Sequence, residues 1–368
     1  MLLSLSNAPR DYAWGSTTLL ADLEGRPASA APEAEVWFGD HASDPAELDD
    51  GRTLDAVTGG SLPYLLKLLA AADPLSIQVH PTIAQARDGR RREASLAADD
   101  PHRNYRDDNH KPELIVALSE RFEALGGLRP VDATLRLVEA LGDGRGPAEL
   151  RAHLTGADGL RGAIAWLLSG RAQDAVDDVI GALETASSAE FEDTIHAIRT
   201  VAERNPGDPG VVVALLMNHI VLRRGEGIFL RAGLLHAYLS GLGVEIMAAS
   251  DNVLRGGLTP KHIDVPELLS VLDATPGNVP VLRPADGAVT EYPVEVDDFA
   301  LRRVTLDGAP VAVDVTPPAM VLATAGSVTV AGADAVAHAV AVGSALFSAD
   351  EAVLTLAGTG EAFIAQPG

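Results

Sequence analysis

Gly225-Glu-Gly-Ile-Phe-Leu-Arg-Ala-Gly-Leu-Leu-His236 is the stretch on which the fold turns. It reads as a short strand closed by a glycine turn that presents a histidine, and it stands where the period of the chain changes. Before it, residues 121–224 are spaced helically. Val176, Val179, Ile180 and Leu183 form one stripe, and Phe191, Ile195, Ile198 and Ala202 form another. A further helix is expected to begin at Asp208-Pro209, a cap followed by Pro at the first helical position. It is expected to run through Val212, Leu215, Leu216 and His219 toward Gly225.

On both sides of that block the signals are β. Residues 1–120 carry strand-like runs at Glu35–Phe38, Leu75–Val79 and Glu113–Leu118 among Gly, Pro and Asp turns. The tail, 267–368, repeats the pattern with Val311–Val315, Met320–Thr324, Val328–Val330, Ala345–Phe347, Val353–Leu356 and Ala362–Ala365. Short strands at such spacing predict a sandwich or jelly roll. The chain therefore reads as β, then α, then β: mainly β over residues 1–120, an α-helical domain over 121–224, and strands again from 225, nearly all β over 267–368.

Composition narrows the chemistry. There is no cysteine, which excludes disulfides and thiolate ligands, so a transition-metal site must use His, carboxylate and amide groups. A net charge of −24 argues against nucleic acid and anionic membrane as partners, though not against one small anion in a locally basic pocket. The opening has no basic n-region, and no run approaches the roughly 18 apolar residues of a span, so a cytoplasmic protein is expected. Only three residues are lysine (Lys67, Lys111 and Lys261) against 25 arginines. Arginine never deprotonates in a protein, whereas lysine can, so each lysine marks a place where an amine has a use.

Three segments hold candidate chemistry. In Ser76-Ile-Gln-Val-His-Pro81, strand alternation projects Gln78 and His80 to one side and Ile77 and Val79 to the other, which makes half a metal site or a solvent-facing strand. In Tyr105-Arg-Asp-Asp-Asn-His-Lys-Pro-Glu113, an imidazole, an amine and a carboxylate crowd the mouth of a strand, and an exposed polar loop is the plainer reading. The third runs from Gly225 through His236, Ala237-Tyr238-Leu239 and Glu245 to Ser250-Asp-Asn-Val-Leu-Arg-Gly-Gly-Leu-Thr-Pro-Lys261. Its glycine and histidine spacing resembles the second half of the cupin pattern, with Arg231 in place of the usual proline.

Taken in order, Ser-Ile-Gln-Val-His-Pro, Asn-His-Lys-Pro-Glu, His-Ala-Tyr-Leu and Ser-Asp-Asn-Val-Leu-Arg-Gly-Gly-Leu-Thr-Pro-Lys resemble the type I phosphomannose isomerases. So do Tyr12-Ala-Trp14-Gly15, Ala34-Glu-Val-Trp37-Phe-Gly39 and Leu62-Pro-Tyr-Leu-Leu-Lys67; the matches end near residue 268, and Asp108 stands where many relatives carry proline. The resemblance implies a bicupin: a catalytic cupin-type jelly roll interrupted by a helical domain, then a second jelly roll. It implies one Zn2+ per chain and interconversion of mannose 6-phosphate and fructose 6-phosphate. Carried over by position, the metal ligands are Gln78, His80, Glu113 and His236. Lys67, His110, Lys111, Glu245 and Arg255 fall on polar active-site positions, and Ser76 and Lys261 on the phosphate.

The reaction moves a proton between C1 and C2 through an enediol, which calls for a base and a cation for the oxyanion. Lys111 is the first choice of base, since nearby positive charge and burial disfavour an ammonium ion, with His110 and Glu245 as rivals. Arg255, which cannot act as a base, is expected to stabilise the enediolate or the C1 and C2 oxygens. The expected partner is a small phosphorylated sugar; the oligomeric state is open, a monomer included. His41, His102, His153, His196, His219, His262 and His338 are read as structural or solvent-facing. Trp14, Trp37 and Tyr238 are read as pocket wall or core. Two other classes stay in view: a different metal-dependent cupin enzyme, and a non-catalytic bicupin that binds sugar phosphates.

Overall fold

The 13-residue strand His236–Ala248 organises the larger of two antiparallel sheets in this computed structural model, which describes residues 1–97, 99–283 and 285–368. Its first residues pair with Gln78–Val79 and Phe122–Leu128; its second half lies between Tyr64–Ala71 and Glu113–Ala117. The change of neighbours follows a register shift between Tyr238 and Ser240, where Gly241 takes a φ of +120°. A bulge of this kind re-aims the strand, so one element lines two walls of the same hollow.

The second sheet holds most of the tail. Ala319–Ala331 runs against Val353–Gln366 over nearly its whole length. Two strands therefore stand where the local pattern reads four. Gly326, Gly358 and Gly360 look like turn punctuation, but they sit inside the pairing. A Cβ on Gly360 would lie 2.0 Å from the carbonyl oxygen of Ala325, and its φ is +137°. Glycine is needed there for close backbone approach, not for reversal. The first strand of the chain, Leu2–Ser6, also joins this sheet through Ala345–Ser348.

The two sheets share a core. Leu66, Val244 and Ile246 of one pack with Met320, Phe347 and Phe363 of the other, all at 2% exposure or less. At roughly 1.5–3 kcal/mol for each fully buried large side chain, this cluster is a principal term in holding the two sheets together.

Helices fill the block between Val131 and Leu215. Val176, Val179 and Leu183 of Gln173–Thr185 and Ile195 and Ile198 of Glu192–Arg204 are buried as the spacing predicts. Their core takes in Ile77 and Val79, the inner face of the Gln78 strand. At Asp208 the cap forms, its carboxylate accepting from Gly210 N, and Pro209 opens the helix. That helix ends at Leu215, however, and Met217–Leu222 is a strand paired with Phe122–Leu128. The apolar run suits either period, and the open edge beside Phe122–Leu128 decides for β. His219 consequently lies on a strand, its Nε2 2.9 Å from Glu123 Oε2.

Candidate metal centre and active-site cleft

On one face of the larger sheet, register sets polar residues side by side. Lys67 is directly opposite Glu245 on one neighbour and Trp37 on the other; Gln78 is opposite His236 and Arg255. Alternation turns Leu66 and Leu68 into the shared core and leaves Lys67 facing the cleft. The cleft, about 750 Å³, is lined by Lys67, Ser76, Gln78, Lys111, Arg255 and Lys261 among others. A narrow inner recess continues to Glu113, His236, Tyr238 and Glu245.

At the base of that recess His80, Glu113 and His236 converge, each 4% exposed or less, with ligand atoms all within 4.8 Å of one another. Backbone carbonyls fix both rings. Nδ1 of His80 donates to Asn252 O at 2.7 Å, and Nδ1 of His236 donates to Leu234 O at 2.9 Å. In neutral rings the proton is thereby on Nδ1, and each Nε2 offers a lone pair. Both nitrogens crowd one carboxylate: Nε2 of His80 is 3.1 Å from Glu113 Oε1, and Nε2 of His236 is 3.3 Å from Oε2. The His80 contact lies off the direction of a hydrogen bond, so this buried nitrogen has no hydrogen-bond partner. Burial, then the charge of Lys111, pushes His80 down to about 4, which keeps it neutral. Burial pushes Glu113 up, but the charge of Lys111 outweighs it and holds the carboxyl well below its usual range.

Acceptors crowded together in a buried recess repel unless a cation sits among them. The donor set of two imidazoles and a carboxylate suits zinc, and backbone-anchored Nδ1–H groups are the usual outer support of histidine ligands. Gln78 adds an amide: its Nε2 donates to Ser76 Oγ at 3.3 Å, which leaves Oε1 as the free acceptor.

Around this centre the charges are paired with care. Nζ of Lys111 is 2.7 Å from Glu113 Oε1. Nζ of Lys67, 5% exposed, lies 3.3 Å from Glu245 Oε2, 3.7 Å from Glu35 Oε1 and 4.9 Å above the Trp37 ring. Burial would lower Lys67, but Glu35 and Glu245 overcome it and raise it above the ordinary lysine range, so this amine stays charged. Burial raises Glu245, against the pull of Lys67. Burial also drives Tyr238 well up, and its hydroxyl approaches Glu113 Oε2 at 3.4 Å.

The structure thus gathers Lys67, Ser76, Gln78, His80, Lys111, Glu113, His236, Glu245, Arg255 and Lys261 around one connected space. His110 is turned away: its Nε2 bonds Asp298 Oδ2 at 2.7 Å, on the C-terminal part of the chain. Glu35 enters unannounced. Glu35 and Trp37 share a strand face, and Trp37 Nε1 donates to Glu35 Oε2 at 2.6 Å; two-residue alternation in Glu35–Phe38 was the available signal. His41, read from sequence as structural or solvent-facing, lines the cleft and donates through Nε2 to Asp251 Oδ2 at 3.1 Å. Trp14 and Trp37 line the cleft and Tyr238 the recess.

Comparison with known proteins follows the same direction. Residues 2–131 match the family model described as phosphomannose isomerase type I, catalytic domain. A mannose-6-phosphate isomerase of Escherichia coli is 37% identical over 321 residues, covering 80% of this chain and 82% of its own. The human mannose-6-phosphate isomerase is 30% identical, with 83% and 82% covered. A crystal structure of a mannose 6-phosphate isomerase bound with zinc and yttrium superposes with a TM-score of 0.89 at 32% identity, over 100% of this chain and 99% of that one.

Proposed function

Since the chain belongs to the type I phosphomannose isomerase family, we propose that its cleft is the active site of a zinc-dependent mannose-6-phosphate isomerase, which interconverts mannose 6-phosphate and fructose 6-phosphate. The observation that carries this reading is the pair of imidazole nitrogens, their rings fixed by backbone carbonyls, that crowd one buried carboxylate. Gln78, His80, Glu113 and His236 would hold the metal. Bound there, zinc supplies Lewis-acid polarisation and a positive charge beside the substrate's C1 and C2 oxygens.

The chain's own residues do the rest. Lys111 is proposed to take the proton from C2 of the open-chain aldose and return it to C1, the hydroxyl proton passing from O2 to O1, with Glu245 as rival. Lys67, kept charged by Glu35 and Glu245, acts as a fixed hydrogen-bond donor to a substrate oxygen rather than as a base. Arg255, opposite Gln78 in register, offsets negative charge on the enediol oxygens. Ser76 and Lys261 take the phosphate. His110 we no longer favour as base, because its ring is held by Asp298.

We read the two antiparallel sheets as a pair of cupin-type jelly rolls with a helical insertion, but the strands depart from the expected bounds of 1–120 with 225–266, 121–224 and 267–368: Phe122–Leu128 and Met217–Leu222 belong to the larger sheet, so the insertion is Val131–Leu215, and Leu2–Ser6 belongs to the second sheet. No described helix is long and apolar enough to cross a membrane, and we place the enzyme in the cytoplasm. A non-catalytic sugar binder is disfavoured by the presence in one cleft of Lys67, Lys111, Arg255 and Glu245. The test is fructose 6-phosphate formation from mannose 6-phosphate, on protein stripped with a chelator and reloaded with zinc. Turnover lost and regained with the metal supports the reading; stoichiometric zinc without turnover overturns it.

A further inference from the structure

The loop that carries Lys111 is gripped from both sheets. On the side of the larger sheet, the carbonyl of Asn109 accepts from Nδ2 of the fully buried Asn252 at 2.8 Å and from Ser250 Oγ at 3.3 Å. The carbonyl of Pro112 accepts from Ala248 N at 3.1 Å, at the end of the long strand His236–Ala248. From the other side, Asp298 Oδ2 accepts from His110 Nε2 at 2.7 Å, across 188 positions of sequence, with both side chains largely shielded from water. Asp298 has a firm seat. Its neighbour Phe299 is fully buried in the core shared by the two sheets, and Ala300 pairs with Gln366 in the second sheet. Next to His110, Lys111 sends its Nζ to within 2.7 Å of Glu113 Oε1. Pro112 biases Lys111 toward extended backbone, where neighbouring side chains project to opposite sides. Tying the imidazole to the second sheet therefore turns the amine toward the metal centre.

From this arrangement we infer that Asp298 is a positioning residue for the isomerisation: through His110 it holds the Lys111 amine at the metal centre, so the second sheet serves the reaction without touching the substrate. The inference rests on the isomerase reading above. Neither Asp298 nor His110 is among the residues that line the cleft or its recess, so their effect must pass through the backbone to Lys111. Lysine needs such help. Its stem is long and flexible, and a misplacement of about 1 Å can cost about 100-fold in rate when a proton must be taken from carbon. A hydrogen bond to a carboxylate, mostly out of water, is shorter and stronger than a neutral one and is a better tether than an exposed ion pair. In this role the imidazole is a strut, and its own basicity is not used.

The test compares zinc-loaded D298A, D298N, H110A and H110Q with the wild type. For D298A, kcat on mannose 6-phosphate should fall about ten-fold or more while KM changes less than about three-fold and zinc content stays equal. D298N keeps an oxygen acceptor and should recover much of the loss. H110A should match D298A, and the double variant should be no worse than H110A alone, because both remove one tether. H110Q cannot act as a base but can still donate to Asp298, so it should stay within about three-fold of the wild type. A readout free of turnover comes from the scarcity of lysine: selective 13C labelling gives one Cε resonance each for Lys67, Lys111 and Lys261, assigned with K111R. D298A should shift or broaden the Lys111 resonance and leave the other two in place. A kcat for D298A within about two-fold of wild type, losses that multiply in the double variant, H110Q as slow as H110A, or an unmoved Lys111 resonance would each overturn the assignment. If the wild type does not turn over mannose 6-phosphate, the isomerase reading fails, while the lysine spectrum still decides whether Asp298 holds Lys111.

Discussion

Replacing Lys67 with methionine should expose how the charges of the cleft depend on one another. Lys67 is 5% exposed, and its ammonium lies 3.3 Å from Glu245 and 3.7 Å from Glu35. At 3.3 Å and an effective dielectric of about 20, the attraction to Glu245 alone is about 5 kcal/mol, much of it offset by desolvation of both groups. Removing one partner of a buried pair usually costs about 3–5 kcal/mol, because the other charge is left without compensation. K67M should therefore lower the free energy of urea unfolding by that amount, measured with the metal content held constant. E245Q in the K67M background should then cost far less than E245Q alone, giving a coupling of at least about 2 kcal/mol in the double-mutant cycle. A pH arm checks the sign. Burial already raises the folded-state value of Glu245 above its ordinary 4.5 against the pull of Lys67, and without Lys67 it should rise further. A raised carboxyl stabilises the fold below its unfolded value and loses that contribution as pH rises, so the K67M deficit should shrink toward pH 4 and grow toward pH 8. Additive single effects, or a deficit that does not change with pH, would refute this account of the cleft.

Three further outcomes are expected. E113Q removes the carboxylate between the two imidazoles, and zinc affinity, read by competition with a chromogenic chelator, should fall by more than the roughly 10–100-fold typical of losing an outer partner. Glu123 is held at about 2, first by its hydrogen bond with His219, so it adds stability above pH 4.5 that is lost as pH falls through about 2; the difference in urea midpoint between wild type and E123Q should be full at pH 6 and narrow below pH 4.5. G360A should destabilise the second sheet by more than about 2 kcal/mol in denaturant unfolding, because its Cβ would meet the Ala325 carbonyl oxygen at 2.0 Å and its φ of +137° suits only glycine.

The sequence by itself determined the chemistry and the order of its parts. Residue identity and short spacing suffice where a function is written locally: the alternation of Gln78 and His80, the packing of Lys111 against Glu113 within three positions, the glycine-framed His236 and the scarcity of lysine. They suffice as well for amphipathic helices such as Gln173–Thr185, whose stripe is set by a 3.6-residue period. Tertiary structure decided whatever depends on partners remote in the chain. Met217–Leu222 became a strand because Phe122–Leu128 offered it hydrogen bonds, and Gly326 and Gly360 became points of close approach because their two strands are long and paired. The adjacent His110 and Lys111 were given different work: Asp298, 188 residues away, draws the imidazole off while Glu113 keeps the amine. Glu35 joined the cleft for the same reason. A side chain's chemistry is fixed by its type, but its partner is fixed by which backbones pair across the sheet, and that pairing is settled by burial of a core drawn from the whole chain.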